Sequence, residues 1–162
     1  FIAQFFHQTG NEALVTEYGL ESFALNVLDK RQTLTEKLVS LIRFSLSENC
    51  IYDVAAKIRH FYDLHYLLQD EECKNYIYSD QFKSDFKILL DHDRATFDNP
   101  EGWNTMDLEQ SPLLSDFSSL WANLKTTYMK ELPAIAFSEI PGAEEVATSF
   151  GKIAKQLIST GQ

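Results

Sequence analysis

A chain of 162 residues can bury one sizeable core, and its net charge of −10 gives it an overall field that repels nucleic acid, so only a local basic site or basic regions outside the chain could hold an anion. Apolar residues make up 44%, with 12 Phe and 7 Tyr, which excludes a disordered chain, and 6 Gly with 4 Pro favour long regular elements over a turn-rich β sandwich. No apolar run nears the roughly 20 residues of a membrane span, no basic stretch with a cleavage site opens the chain, and Cys50 and Cys73 have no framework spacing, so an acidic soluble protein of the reducing cytoplasm is expected.

The chain opens FIAQFFHQ, in mid-pattern and without an initiator Met, as a fragment would. FIAQFF and EALVTEYG read as short helical turns separated by the breaker TGN. SFALNVLD then sets Phe23, Leu25 and Val27 against Ala24, Asn26 and Leu28; both sets are mostly apolar, which predicts a short strand covered on both faces. A lone strand is unstable, so its partners are either scarce within the chain or expected upstream of it.

RQTLTEKLVSLIRFSLSEN is the clearest helix. Thr33 and Glu36 stand at capping-box spacing, and Leu34, Leu38, Leu41, Ile42 and Ser45 form the stripe to be buried. A second helix is expected from Asp53, as N-cap, to Leu68, on a stripe of Val54, Ile58, Phe61, Leu64, Leu67 and Leu68. QDEECKNYI reads as a charged connector, and DQFKSDFKILLDHDRATF as a helix on Phe82, Phe86, Leu89 and Leu90. DNPEGWNTMDLEQSP is a loop by its Asn-Pro, Gly and Ser-Pro. PLLSDFSSLWANLKTTYMKELP predicts a helix burying Leu114, Phe117, Leu120, Trp121 and Leu124 and stopped by Pro133, and the last helix runs from Ala143 to Ile158. The expected fold is mainly α: an antiparallel helical bundle over residues 31–162, behind a short β remnant of an α/β domain in residues 1–30.

The stretch KIRHFYDLHYLL at 57–68 crowds Lys57, Arg59, His60, Asp63 and His65 onto the second helix. Arg59 and Asp63 stand at i and i+4 and can pair on its surface. The two histidines are five apart, which misses the i, i+4 spacing of a helical zinc pair. Adjacent residues on a helix point apart, so Asp91-His92-Asp93 reads as structural or surface, and Lys57 and Lys37 read as solvated lysines. There is no Gly-rich phosphate loop and no G-x-S-x-G elbow. Pattern alone favours a solvated helix face over an active site.

Two segments taken together, TLTEKLVSLIRF at 33–44 and KIRHFYDLHYLL at 57–68, resemble the nucleotidyltransferase family of AbiEii and AbiGii toxins, the toxin halves of type IV toxin–antitoxin and phage-defence pairs. The resemblance implies the C-terminal part of a polymerase-β-like nucleotidyltransferase. The family's Gly-Ser and Asp-x-Asp motifs, which hold Mg2+ and the phosphates of the NTP substrate, do not precede the Glu-Lys segment here. Lys37 matches the family lysine on the nucleotide phosphates, and Asp63 the aspartate that positions Lys37 or the nucleotide; these are the catalytic candidates. Arg59 and His60 are the substrate-binding candidates, with His60 standing where many members carry Asp and others His, and Lys57 is a lesser candidate. Helices joined by a short turn at Glu48 and Asn49 should pack antiparallel, which would bring Lys37 and Asp63 to the same end of the pair.

By this resemblance the full-length protein transfers a nucleotide from an NTP to an acceptor such as tRNA, with a cognate antitoxin as partner, and the fragment alone is inactive. The competing expectation is a non-catalytic helical module that binds an antitoxin or self-associates.

Overall fold

The computed structural model describes residues 2–21, 27–136 and 139–158, and every regular element in them is helical. Helices α1 (Ile2–Gln8) and α2 (Glu12–Glu17) pack on each other as a hairpin. Gly19, at φ +59°, ends α2: its N–H reaches Thr16 O at 3.2 Å while Leu20 N–H reaches Val15 O at 2.8 Å, a turn that needs the left-handed conformation. The expected strand over 22–29 is not among the described elements. Residues 22–26 lie outside the described residues, and Val27 and Leu28 join no strand and stand 83% and 52% exposed.

Helix α3 (Lys30–Ser45) is the axis of the fold. It starts ahead of the expected Thr33 cap, because the Asp29 carboxylate accepts from Arg31 N–H at 2.7 Å and also pairs with the Arg31 guanidinium. Thr33 is thereby carried inside the helix, where its hydroxyl donates to Asp29 O at 3.1 Å, and Glu36 accepts from Gln32 instead of capping. The predicted stripe of Leu34, Leu38, Leu41, Ile42 and Ser45 is buried, joined by Thr35 and Val39.

The single helix expected over 53–68 is two, α4 (Cys50–Ala55) and α5 (Arg59–Leu67). Asp53 lies in the first turn of α4 rather than capping it, since Asn49 occupies the cap position. Between the two helices the ladder tightens to i→i−3 bonds: Lys57 N–H to Val54 O at 2.9 Å, Ile58 N–H to Ala55 O at 3.0 Å, His60 N–H to Lys57 O at 2.8 Å. Val54, Ile58, Phe61, Leu64 and Leu68 are buried as predicted.

The supposed connector is helix α6 (Glu71–Tyr76), because the Asp70 carboxylate accepts from the N–H groups of Glu72 and Cys73 at 3.0 and 3.1 Å. Ser79 caps α7 (Asp80–Thr96), which buries Phe82, Phe86 and Leu90. The following loop buries Trp103 completely, with its indole N–H donating to Phe97 O at 2.8 Å. The helix expected after Pro112 breaks at Asp116 into α8 (Pro112–Ser115) and α9 (Phe117–Glu131); Asp116 leaves the helical region and its carboxylate caps Ser119 N–H at 3.3 Å. Leu113, not Leu114, is the fully buried residue of α8. Helix α10 (Ala143–Ile158) has the predicted bounds.

Helices α4 to α8 all touch α3, and α10 lies on α5, α8 and α9. Phe61, Phe117, Trp121 and Phe150 knit α5, α9 and α10 together with ring centroids 4.6 to 6.2 Å apart. No described helix is long and apolar enough to cross a membrane.

Candidate functional site

The buried stripe fixes the rotation of α3, and with it the direction of Lys37, which leaves the helix on the side of α5. Asp63 is held in α5 between buried Tyr62 and Leu64. The Lys37 Nζ donates to Asp63 Oδ2 at 2.6 Å, across 26 residues of sequence, and the two side chains are 23% and 18% exposed. The antiparallel arrangement that this contact requires is visible in its neighbours. One step of seven before Lys37, Lys30 pairs with Asp70 at 2.8 Å; one step of seven after it, the Phe44 ring meets the Lys57 ammonium at 4.6 Å.

The partner segment retreats by seven residues in the first step and by six in the second. The tightened turn accounts for the difference. Three residues rising about 2.0 Å each and three rising about 1.5 Å each cover about 10.5 Å, the length of seven residues of α3. The break between α4 and α5 thus keeps Lys57 level with Phe44.

Arg59 stands at the rim, half exposed, with its Nε 3.8 Å from Asp63 Oδ1. His60 is partly buried and its Nδ1 is enclosed without a hydrogen-bond partner. Burial is the main cause that pushes the His60 pKa down to about 4, and the charge of Lys37 is the next; Lys57 and Arg59 act in the same direction, and Asp63 opposes them. The ring is therefore neutral at pH 7. Lys57 was expected in solvent, but it is partly buried against Phe44 and has no carboxylate within ion-pair distance among the described residues. Arg43 covers the same ring at 5.0 Å, reaches Phe97 and Trp103 as well, and is tied to Asp93 at 3.5 Å.

Lys37, Lys57 and Arg59 thus surround a neutral His60 with one carboxylate between them, a locally positive patch on a chain of net charge −10. Such a patch can hold an anion and neutralise charge that develops on it. It does not fit a Mg2+ ion, which needs oxygen ligands: its one carboxylate is already paired with Lys37, and Arg59 stands 3.8 Å from it. Among the described residues no cluster of three or more His, Cys, Asp or Glu is placed to hold a metal.

The other residues considered from sequence lie apart. His65 Nδ1 meets the buried Ser149 Oγ at 2.9 Å, a tie between α5 and α10. His92 is exposed, with its Nδ1 3.4 Å from its neighbour Asp93. The large groove of about 890 Å³ lies on the opposite flank of α3, against α6 and α7. It carries the carboxylates of Asp29, Glu36 and Asp85, and its one guanidinium, Arg31, is tied to Asp29. That groove repels phosphate.

A family model described as nucleotidyl transferase AbiEii toxin, type IV TA system, matches residues 6–148. No curated protein and no solved structure matches the chain.

Proposed function

The chain belongs to the AbiEii nucleotidyl transferase toxin family of type IV toxin–antitoxin systems, and from that premise we propose that Lys37, Asp63, Arg59 and His60 form the phosphate-binding half of a nucleotidyl transfer site. The reaction is transfer of a nucleotide from an NTP to an acceptor such as tRNA. The observation that carries this reading is the 2.6 Å Lys37–Asp63 pair, which joins two helices distant in sequence inside a patch where cations outnumber carboxylates around a neutral histidine.

Each residue has a distinct part. Asp63 holds the Lys37 ammonium in place, so that it faces the leaving diphosphate without further reorganisation. Arg59, loosely tied and half exposed, can turn its guanidinium to a phosphate oxygen. His60 offers a hydrogen bond without charge. The Mg2+ implied by the family has no seat in this cluster, and the 162 residues by themselves are expected not to transfer nucleotides.

Calorimetric titration of the chain with inorganic tripolyphosphate tests the assignment. Binding that is lost in Lys37→Gln and weakened in Asp63→Asn supports it; equal affinity in all three proteins removes it. A second reading, a helical module that holds a protein partner such as the antitoxin, draws on the exposed Ile2, Phe5 and Tyr18 of the first two helices and on the acidic surface, which suits a basic partner. That reading predicts no tripolyphosphate binding at all.

A further inference from the structure

The register of α3 against the segment from Lys57 to the α6 cap Asp70 sets three contacts in line, Lys30 with Asp70, Lys37 with Asp63, and Phe44 with Lys57. The first two are ion pairs and the third is not. In a chain with 24 acidic residues and 14 Lys and Arg, a partly buried lysine that lacks a carboxylate partner stands out. Asp53 is four residues before Lys57 and could pair with it in an unbroken helix. The tightened turn at 56–58 comes between them, and no ion pair joins the two among the described residues. The ammonium is held instead on the Phe44 ring, an arrangement that fixes its position while leaving its charge uncancelled.

We propose that Lys57, seated on Phe44, is a second phosphate-binding residue that takes a phosphodiester of the acceptor strand, while Lys37 takes the triphosphate. This rests on the nucleotidyl transfer reading of the Lys37 site. Phe44 follows Lys37 by two helical turns, about 10 Å along α3. Ammonium groups anchored at two levels of α3, one on Asp63 and one on Phe44, address different phosphate groups. Nucleotidyl transfer brings the terminal hydroxyl of an acceptor to the α-phosphate of the NTP, so the last phosphodiester of the acceptor must lie beside the triphosphate. Lys57 is the cation beside Lys37 that no carboxylate claims. Arg43, on the same ring, is neutralised by Asp93 and contributes stacking rather than net charge.

The test uses the 162-residue chain with two ligands: inorganic tripolyphosphate by calorimetry, and a labelled single-stranded oligoribonucleotide by fluorescence anisotropy at several salt concentrations. The variants are Lys57→Gln, Lys57→Arg and Lys37→Gln, with Lys130→Gln as a charge-matched control on the exposed surface of α9. Lys57→Gln should weaken oligoribonucleotide binding about three- to tenfold and lower the slope of log K against log salt by about 0.7, the share of one phosphate contact on a single strand. It should leave tripolyphosphate binding unchanged, and Lys57→Arg should restore the oligoribonucleotide. Three results overturn the proposal: no oligoribonucleotide binding by the parent chain, a Lys57→Gln effect no larger than that of Lys130→Gln, or an equal loss of tripolyphosphate. Failure of Lys37→Gln to alter tripolyphosphate binding instead removes the reading of the Lys37 site, whatever Lys57 does.

Discussion

Lys37 of α3 and Asp63 of α5 meet at 2.6 Å in the middle of a three-contact register, one step of seven from Lys30–Asp70 and one from Phe44–Lys57. The pair is partly buried, so water screens it less than a surface ion pair, and Arg59 at 3.8 Å shares the carboxylate. The distribution of charge makes the two partners unequal. Remove Lys37, and Asp63 keeps Arg59; remove the charge of Asp63, and Lys37 is left among Lys57 and Arg59.

That asymmetry predicts the outcome of a double-mutant cycle. Lys37→Met should cost about 1 kcal/mol of folding stability and Asp63→Asn about 1–2 kcal/mol, with a coupling of about 1 kcal/mol between them. Urea denaturation of the four proteins measures all three quantities. Additive losses, or a smaller cost for Asp63→Asn than for Lys37→Met, would contradict the arrangement described.

His60 gives the fold a pH dependence of known sign. Its pKa in the folded chain is about 4, against about 6.5 in an unfolded one. A base depressed in this way binds more protons when unfolded, so its contribution is complete above about pH 6.5 and drains away as the pH falls towards 4. The full linkage of about 3 kcal/mol shrinks to about 1–2 kcal/mol because the ring is only partly buried. Melting curves should therefore fall more steeply from pH 7 to 4.5 for the parent than for His60→Gln. His65, whose pKa burial also lowers, is present in both proteins and cancels in the comparison. Parallel curves would reject the account.

The buried stripes were legible in the sequence because apolar spacing survives small changes in helix geometry. Leu34, Leu38, Leu41, Ile42 and Ser45 are buried as spaced, as are Val54, Ile58, Phe61, Leu64 and Leu68, with Leu67 only partly covered, and the pairing of Lys37 with Asp63 follows from two helices joined by a short turn. Helix ends were not legible, because they are decided by one carboxylate at a time. Asp29 took the cap expected of Thr33, Asp70 made a helix of a charged connector, and Asp116 split one helix into two. The tightening at 56–58 left no mark in the spacing, since Ala56 and Ile58 keep right-handed helical dihedrals while the hydrogen bonds shift by one residue. The position of Lys57 on Phe44 depends on that shift, which is why the lysine read as solvated.

Ser45 and Ser111 form a buried hydroxyl pair at 2.6 Å whose direction can be derived. Ser45 donates its single proton to Ile42 O at 2.6 Å, so Ser111 must be the donor to Ser45 Oγ. Ser45→Ala then strands the Ser111 hydroxyl, fully buried, without an acceptor in Ser45, and should cost about 2 kcal/mol. Ser111→Ala leaves the Ser45 bond to Ile42 intact and should cost about 1 kcal/mol or less. The double variant should lose less than the sum of the two. Thermal melts of the three variants check the order, and equal single losses would contradict the assigned direction.

Phe61 and Asp63 lie two residues apart on α5 and serve opposite faces of it. Phe61, 1% exposed, meets Trp121 and Phe150 at 5.1 Å each, while Asp63 meets Lys37. Because residues at i and i+2 do not share a helix face, damage to one side should not reach the other while the chain stays folded. Phe61→Ala should cost about 3–5 kcal/mol and Phe61→Leu about 1–2 kcal/mol, through the lost ring volume. At a temperature where Phe61→Leu remains folded, its affinity for tripolyphosphate should equal that of the parent, whereas Asp63→Asn should weaken binding with a smaller change in melting temperature than Phe61→Ala produces. If Phe61→Leu weakened binding as much as Asp63→Asn did, the anion site would depend on the aromatic core rather than on the Lys37–Asp63 pair.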